Sequence, residues 1–243
     1  DVWNGSCEHV DPVNCPEDNG PDYDYGAGPV ISEDSQGRRI ILAGDKGGVV
    51  TAMLAKTGEP LWKTKVGRGG VVAGVNFGLA VHDGKVFVPI SDVPDGRVYD
   101  EPARPGVYAL NVDSGEYVWR APAGKDVCNG RPGCNPGYSA AISVTEDYVL
   151  AGSNEGWLRA FDINNGQVLW ELDTTDAFTA VDGRTARGGS IGGGQAPLIV
   201  GDRLILNSGY AFAGKMPGNA LLVLRLPPNE AQVAQKSTES ATK

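Results

Sequence analysis

Apolar and polar residues alternate in short runs along most of the chain, and three of these runs share one register. They are GVVTAMLAKTGEPLW (residues 48–62), GVYALNVDSGEYVW (106–119) and GWLRAFDINNGQVLW (156–170). In each, alternating apolar positions such as Val107 and Ala109 reach a short polar turn ending in Gly58, Gly115 or Gly166, then run into Trp62, Trp119 or Trp170. Strand side chains face opposite ways in turn, and glycine supplies the positive φ of a tight turn, so this pattern predicts a β-hairpin. The turn glycines fall 57 and 51 residues apart. The unit is therefore about fifty residues, the size of a four-stranded propeller blade.

The rest of the chain fills in around these hairpins. Residues 29–31, 39–43 and 49–54 predict the first blade, with a turn at residues 44–48. The second starts near residue 71, includes GVNFGLAV (74–81), turns at 82–84 and continues as a strand over 85–90. A polar excursion, residues 91–105, is too long for a hairpin turn and should lie at one mouth of the propeller. NPGYSAAISV (135–144) and residues 148–153 open the third blade, and residues 196–200, 203–208 and 219–226 form the last. Residues 174–194 are expected to be a long loop holding Arg184, Arg187 and a glycine run that lacks the Gly-Lys-Ser/Thr ending of a phosphate cradle. No stretch carries helical periodicity. The fold class is all-β: a β-propeller of four-stranded antiparallel blades, about four of them, spanning residues 21–226. Residues 1–20 should be an irregular loop, and residues 227–243, rich in Glu, Gln, Ser, Thr and Lys, a tail too polar to order itself.

Composition agrees: 35 Gly and 16 Pro in 243 residues suit many turns and short strands. No apolar run is long enough to cross a bilayer as a helix. A net charge of −9 argues against a nucleic-acid partner, whose phosphates such a surface repels. The four cysteines form two close pairs, Cys7/Cys15 and Cys128/Cys134, far apart in the chain. Zinc needs about four convergent ligands. Two local disulfides, and hence an oxidising compartment, fit better: a periplasmic or secreted protein. There is no C-x-x-C-H, so this chain attaches no covalent c-type haem. His82 reads as a turn-side histidine.

Candidate chemistry concentrates near the start. In GPDYDYGAGPVI (residues 20–31), Asp22 and Asp24 stand two apart among tyrosines, on the same side of an extended chain. Such a pair can bind a hard cation or act as a base, or it can merely cap turns in a Gly/Pro loop. Lys46 is the one cation of the turn at residues 44–48.

With the three Trp-ending repeats, Tyr23-Asp24-Tyr25, the Asp45-Lys46-Gly47-Gly48 turn and the closing Ser208-Gly209-Tyr210 and residues 217–226, the chain resembles the quinoprotein alcohol dehydrogenases. GPDYDYGA and PGYSAA (136–141) resemble most the polyvinyl alcohol dehydrogenases of that group. The resemblance implies an eight-bladed ring holding pyrroloquinoline quinone (PQQ) and Ca2+ on its axis, oxidation of polyvinyl alcohol or other secondary alcohols, and an electron-accepting cytochrome c. It implies that Asp24 is the general base and a Ca2+ ligand, with Asp22 the alternative for either role. It further implies that Lys46 contacts the quinone oxygens, that Ser91 takes the place of an asparagine near the cofactor and that Asn76 lies beside the cavity. Four blades correspond to the C-terminal half of that ring. An adjacent cysteine pair and a glutamate ligand carried by the other half have no counterpart here. Open blade edges then predict association with a second copy or with a missing N-terminal half. A propeller of the same repeats that serves as a cofactor-free scaffold, as in outer-membrane assembly lipoproteins, is the alternative.

Overall fold

A computed structural model describes residues 21–124 and 127–225. Four sheets follow one another along the chain. The first blade is β1 (Val30–Glu33), β2 (Arg39–Gly44), β3 (Val49–Leu54) and β4 (Pro60–Lys65). The second is β5 (Ala80–His82), β6 (Lys85–Ile90), β7 (Gly106–Asn111) and β8 (Tyr117–Pro122). The third is β9 (Ser143–Val144), β10 (Tyr148–Gly152), β11 (Trp157–Asp162) and β12 (Val168–Asp173). A separate hairpin, β13 (Ala177–Thr179) with β14 (Thr185–Arg187), precedes the three described strands of the fourth blade, β15 (Leu198–Val200), β16 (Arg203–Ser208) and β17 (Ala220–Arg225). All pairings are antiparallel between sequence neighbours, the up-and-down order of propeller blades.

Two expectations change. Residues 174–194 are not all loop, because Phe178 and Ala186 face each other across β13 and β14 and pack against the third core. Each strand is three residues long, too short for its period to stand out in sequence. Of residues 74–81 only the last two join a strand, β5, because Gly74 O and the Val75 amide are already bonded to Ser91 N–H and Asp45 O. Cys128 and Cys134 form the expected disulfide. Cys7 and Cys15, the loop over residues 1–20 and the tail over 227–243 lie outside the described residues.

Alternation along each strand divides the interior into three cores. Ile40, Leu42, Val50 and Ala52 of the first blade meet Val86, Val88, Ile90 and Leu110 of the second. The opposite face of the second, Phe87, Val107, Ala109 and Trp119, meets Val149, Ala151 and Phe161 of the third. Leu150, Leu158 and Ala160 then meet Leu204, Leu206 and Leu222 of the fourth. Among the described residues no fourth core joins the last blade to the first. The array is open: Ile31 at one end and Leu198, Val200, Leu221 and Val223 at the other are exposed.

The repeated Trp and Gly explain how blade follows blade. Ala52, Ala109 and Ala160 pair with Trp62, Trp119 and Trp170, and a bulge follows each alanine at the same place. The bulge swings the indole out of its own sheet toward the next blade. There, Trp62 Nε1 donates to Val112 O at 2.8 Å and Trp119 Nε1 donates to Ile163 O at 3.0 Å. The rings lie over the turn glycines of the receiving blades: a Cβ at Gly115 would sit 2.5 Å from Trp62, and one at Gly166 would sit 2.6 Å from Trp119. Glycine is thus required twice over, for a φ of +71° or +74° and for the space its missing side chain leaves.

Gly166→Ala should lower unfolding free energy by about 1–3 kcal/mol, the usual cost of forcing an extra methyl group into a filled core. Urea unfolding followed by tryptophan emission measures it, and an unchanged midpoint would show that the indole does not rest on this turn.

Candidate functional site

The inner ends of the four blades repeat one backbone arrangement. Lys46 N–H donates to Asp24 O at 3.0 Å, Ser91 N–H to Gly74 O at 3.0 Å, Asn154 N–H to Gly137 O at 2.7 Å, and Tyr210 N–H to Ser190 O at 2.9 Å. A second set, Val75 N–H to Asp45 O, Tyr138 N–H to Ile90 O and Ile191 N–H to Ser153 O, ties each entry segment to the turn of the preceding blade. Asp24, Gly74, Gly137 and Ser190 therefore occupy equivalent places, as do Lys46, Ser91, Asn154 and Tyr210. Only the first blade has charged residues at both.

There the charges meet. Lys46 Nζ lies 2.6 Å from Asp24 Oδ1 and 4.0 Å from Asp22 Oδ2. The lysine and both carboxylates are partly withdrawn from solvent, with side-chain exposures of 22% for Lys46, 15% for Asp22 and 36% for Asp24. Asp22 adopts φ +63°, a left-handed conformation that aspartate accepts better than most residues, and this brings its carboxylate to the same lysine. Gly26 leaves the room: a Cβ on it would stand 2.9 Å from Asn76 O and 3.8 Å from Lys46 Cε. Lys46 is presented by a turn whose Asp45 Oδ1 accepts the Val49 amide at 3.0 Å. Burial pushes the Asp45 carboxyl above its ordinary value, against the Val49 amide and the positive charge of Lys65, which pull it down.

Of the residues singled out in the sequence, Asp22, Asp24, Lys46 and Asn76 share one neighbourhood. The Asn76 side-chain amide is buried and donates to Ala73 O at 3.0 Å. Ser91 belongs to the same inner ring one blade further on, where its hydroxyl is buried without a hydrogen-bond partner among the described residues. No contact brings it to Lys46.

Asp92 was not singled out, yet it organises the mouth. Its buried carboxylate accepts four backbone amides: Arg68 at 2.6 Å, Gly69 at 3.1 Å, Gly74 at 3.2 Å and Arg104 at 2.8 Å. It thereby pins the polar excursion to the entry segment of its own blade. An Asp opening a Gly/Pro-rich loop is common turn chemistry, so the sequence carried no distinctive signal. Lys215, on the corresponding loop of the fourth blade, is also buried, and burial lowers its pKa below the ordinary lysine value. A groove lies at that end too, beside Gly192, Gln195, Asn207 and Tyr210, and its lining does not include Asp22, Asp24 or Lys46.

The donor set fits a bound cation in part. Asp22 Oδ1 is buried without any hydrogen-bond donor, and Asp24 Oδ1 has only its ion contact with Lys46. Ca2+ takes six to eight oxygens, and no cluster of three or more acidic, His or Cys residues occurs among the described residues. For an anionic or quinone ligand the fit is a single edge, the Lys46 ammonium.

An open array of antiparallel blades with a charged inner end defines the class: a partial β-propeller. The family model described as outer membrane protein assembly factor BamB matches residues 21–236, and the chain belongs to that family. It is similar to the polyvinylalcohol dehydrogenase of Sphingopyxis sp. (strain 113P3), 36% identical over 214 residues that cover 86% of this chain and 32% of that protein. It is similar also to the polyvinylalcohol dehydrogenase of Pseudomonas sp, 39% identical over 211 residues with the same coverages, 86% and 32%. The chain thus spans about a third of the length of these relatives. The crystal structure of BamB from Moraxella catarrhalis superposes with a TM-score of 0.51 at 19% identity, covering 83% of this chain and 53% of that one, which supports the fold. Among the described residues no helix is long and apolar enough to cross a membrane.

The raised Asp45 carboxyl gives a pH prediction. A carboxyl whose folded pKa lies above its unfolded one stabilises the fold most below the ordinary value of 3.8. That contribution is lost as pH rises through the raised pKa. Asp45→Asn keeps the acceptor for Val49 and removes the charge. Its stability relative to the parent should therefore climb as pH rises from the ordinary value of 3.8 through the raised one and then level off, as read from urea midpoints. A difference that falls with pH would contradict the burial of this group.

Proposed function

We propose that this chain is part of a PQQ- and Ca2+-dependent alcohol dehydrogenase, the C-terminal portion of its propeller, acting on polyvinyl alcohol or another secondary alcohol. The observation that carries the reading is the ion pair of Asp24 and Lys46 at the inner end of the first blade, the one place where equivalent positions are both charged. The 36% and 39% identity to two polyvinylalcohol dehydrogenases supports the same substrate class.

Alcohol oxidation needs a group that takes the hydroxyl proton and one that accepts hydride from the carbon. PQQ, when bound, supplies the electrophilic carbon for hydride. Asp24 acts on the proton: a carboxylate within hydrogen-bond reach of the hydroxyl is the general base. Lys46 holds a fixed positive charge where negative charge develops on a carbonyl oxygen, and it does so in a partly desolvated site where that charge is less screened. Asp22, 4.0 Å from the same ammonium, holds Lys46 in position when Asp24 changes partner. Asp22 and Asp24 would hold Ca2+, with most of the coordination sphere supplied from outside the described residues. Asn76 and Ser91 shape the adjoining inner wall. Electrons leave to a cytochrome c, and the Cys128–Cys134 disulfide favours an exported, periplasmic or secreted location. The two open blade faces are completed by the remaining blades or by a second copy.

A second reading, a cofactor-free scaffold that binds protein partners, is favoured by the description of the family model and by the BamB superposition. Titrating the full-length protein with PQQ and Ca2+ separates the two. The dehydrogenase reading expects a bound-quinone absorbance band that weakens in Lys46→Met, and the scaffold reading expects no band in either. In the full-length protein, Asp24→Asn should cut dye-linked alcohol oxidation by about 10²–10⁴-fold at unchanged circular dichroism, the usual contribution of a positioned general base. Unchanged turnover removes Asp24 from the mechanism.

A further inference from the structure

The polar excursion, residues 91–105, belongs to the second blade, yet it holds both halves of the charged group on the first. On the lysine side it acts through the entry segment of its own blade. Gly70 N–H donates to Lys46 O at 3.1 Å, and Gly69 packs so closely that a Cβ on it would stand 2.5 Å from Gly47 O. Asp92 fixes that segment through the amides of Gly69 and Gly74. Asp95 and Tyr99 close over it. Tyr99 Oη donates to Asp95 Oδ2 at 2.6 Å, the same oxygen accepts the Val71 amide at 3.2 Å, and a Cβ at Gly70 would stand 2.6 Å from the Tyr99 hydroxyl. The Arg68 guanidinium lies 4.1 Å from the centroid of the Tyr99 ring.

On the acid side the contact is direct. Asp95 Oδ1 accepts the Arg97 amide at 3.1 Å, and Arg97 Nη1 donates to Pro21 O at 3.1 Å, 76 residues away in the chain. Pro21 immediately precedes Asp22, whose φ of +63° brings its carboxylate toward Lys46. The carbonyl of Pro21 and the amide of Asp22 share one rigid plane, so the Arg97 contact orients the plane from which the Asp22 side chain departs. Tyr23, between the two acids, rests on the lysine's turn: a Cβ at Gly47 would stand 3.0 Å from its Cδ2. Burial, the Asp95 carboxylate and this neighbouring Tyr23 raise the Tyr99 phenol above its ordinary value, against the pull of Arg68. We infer that the excursion is the clamp that sets the separation of Lys46 from Asp22 and Asp24, and that Arg97 is its positioning residue on the acid side, acting through the backbone of Pro21. The importance of that separation for turnover rests on the dehydrogenase reading, whereas the placement of the charges does not.

A carbodiimide joins a carboxylate to an amine without adding atoms between them, so it links groups that already touch. In the full-length protein, without added PQQ or Ca2+, mass spectrometry should find Lys46 crosslinked to Asp24 or Asp22. The link between Lys85 and Asp83, 3.2 Å apart in the second blade, serves as the internal standard. Arg97 is exposed, so its replacement leaves the cores intact. Arg97→Met keeps the aliphatic stem and removes the donor. The Lys46 crosslink should then fall by about 2–10-fold relative to the standard, the change in population that one hydrogen bond can produce. Arg97→Lys retains a donor and should keep most of the parent's yield, with circular dichroism unchanged in both variants. A yield in Arg97→Met equal to the parent's overturns the inference. Equal losses in the two variants overturn it too, since the bond to the Pro21 carbonyl would not be their cause, and so does the absence of the crosslink from the parent. None of these outcomes depends on whether the protein oxidises alcohols.

Discussion

The structure depends on a single contact between neighbouring blades: an indole laid over a glycine that has no side chain, with its N–H bonded to a carbonyl of the same turn. The twist of sheets packed face to face through aliphatic side chains restricts their rotation about the common normal only to a range of angles. One directional hydrogen bond at the rim sets that angle, and the bulge after each alanine opposite a tryptophan aims the ring. Setting the angle at the rim also sets it at the axis. The entry segment of each blade therefore arrives beside the turn of the one before, and the inner backbone pattern repeats four times.

On that repeating scaffold the site is a local exception. Neutral residues or glycine fill most of the equivalent inner positions, while Asp24 and Lys46 place opposite charges where two backbones are already joined. The pair costs the fold little because it keeps some contact with water and because Gly26 leaves space beside the lysine. Asp92 does a comparable task without chemistry, gathering four amides of two loops onto one carboxylate so that the polar excursion has a fixed path.

Much of this was legible in the sequence for a physical reason. Trp62 and Trp119 and the glycines they cover, Gly115 and Gly166, answer to contacts between blades, so their spacing is imposed by the architecture and reads directly as blade length. Strands three residues long, such as those bearing Phe178 and Ala186, contribute too few positions for a period to emerge. Asp24 and Lys46 stood out by residue type, and the structure brings them within 2.6 Å of each other. Ser91 stood out by resemblance alone, and its hydroxyl is buried without a hydrogen-bond partner among the described residues. Asp92 could not be found from composition, since its partners are backbone amides whose identity leaves no trace in the sequence.

Three cores between four sheets have a consequence for endurance. In a linear array each unit is held only by its immediate neighbours. Interior sheets lean on two companions and terminal ones on a single companion, with Ile31 facing outward at one extremity. The acid and the lysine ride on such a terminal sheet. Among the described residues taken alone, fraying from that extremity would scatter them before the middle loosened, so a further sheet packed over Ile31 would lengthen the lifetime of the charged pair.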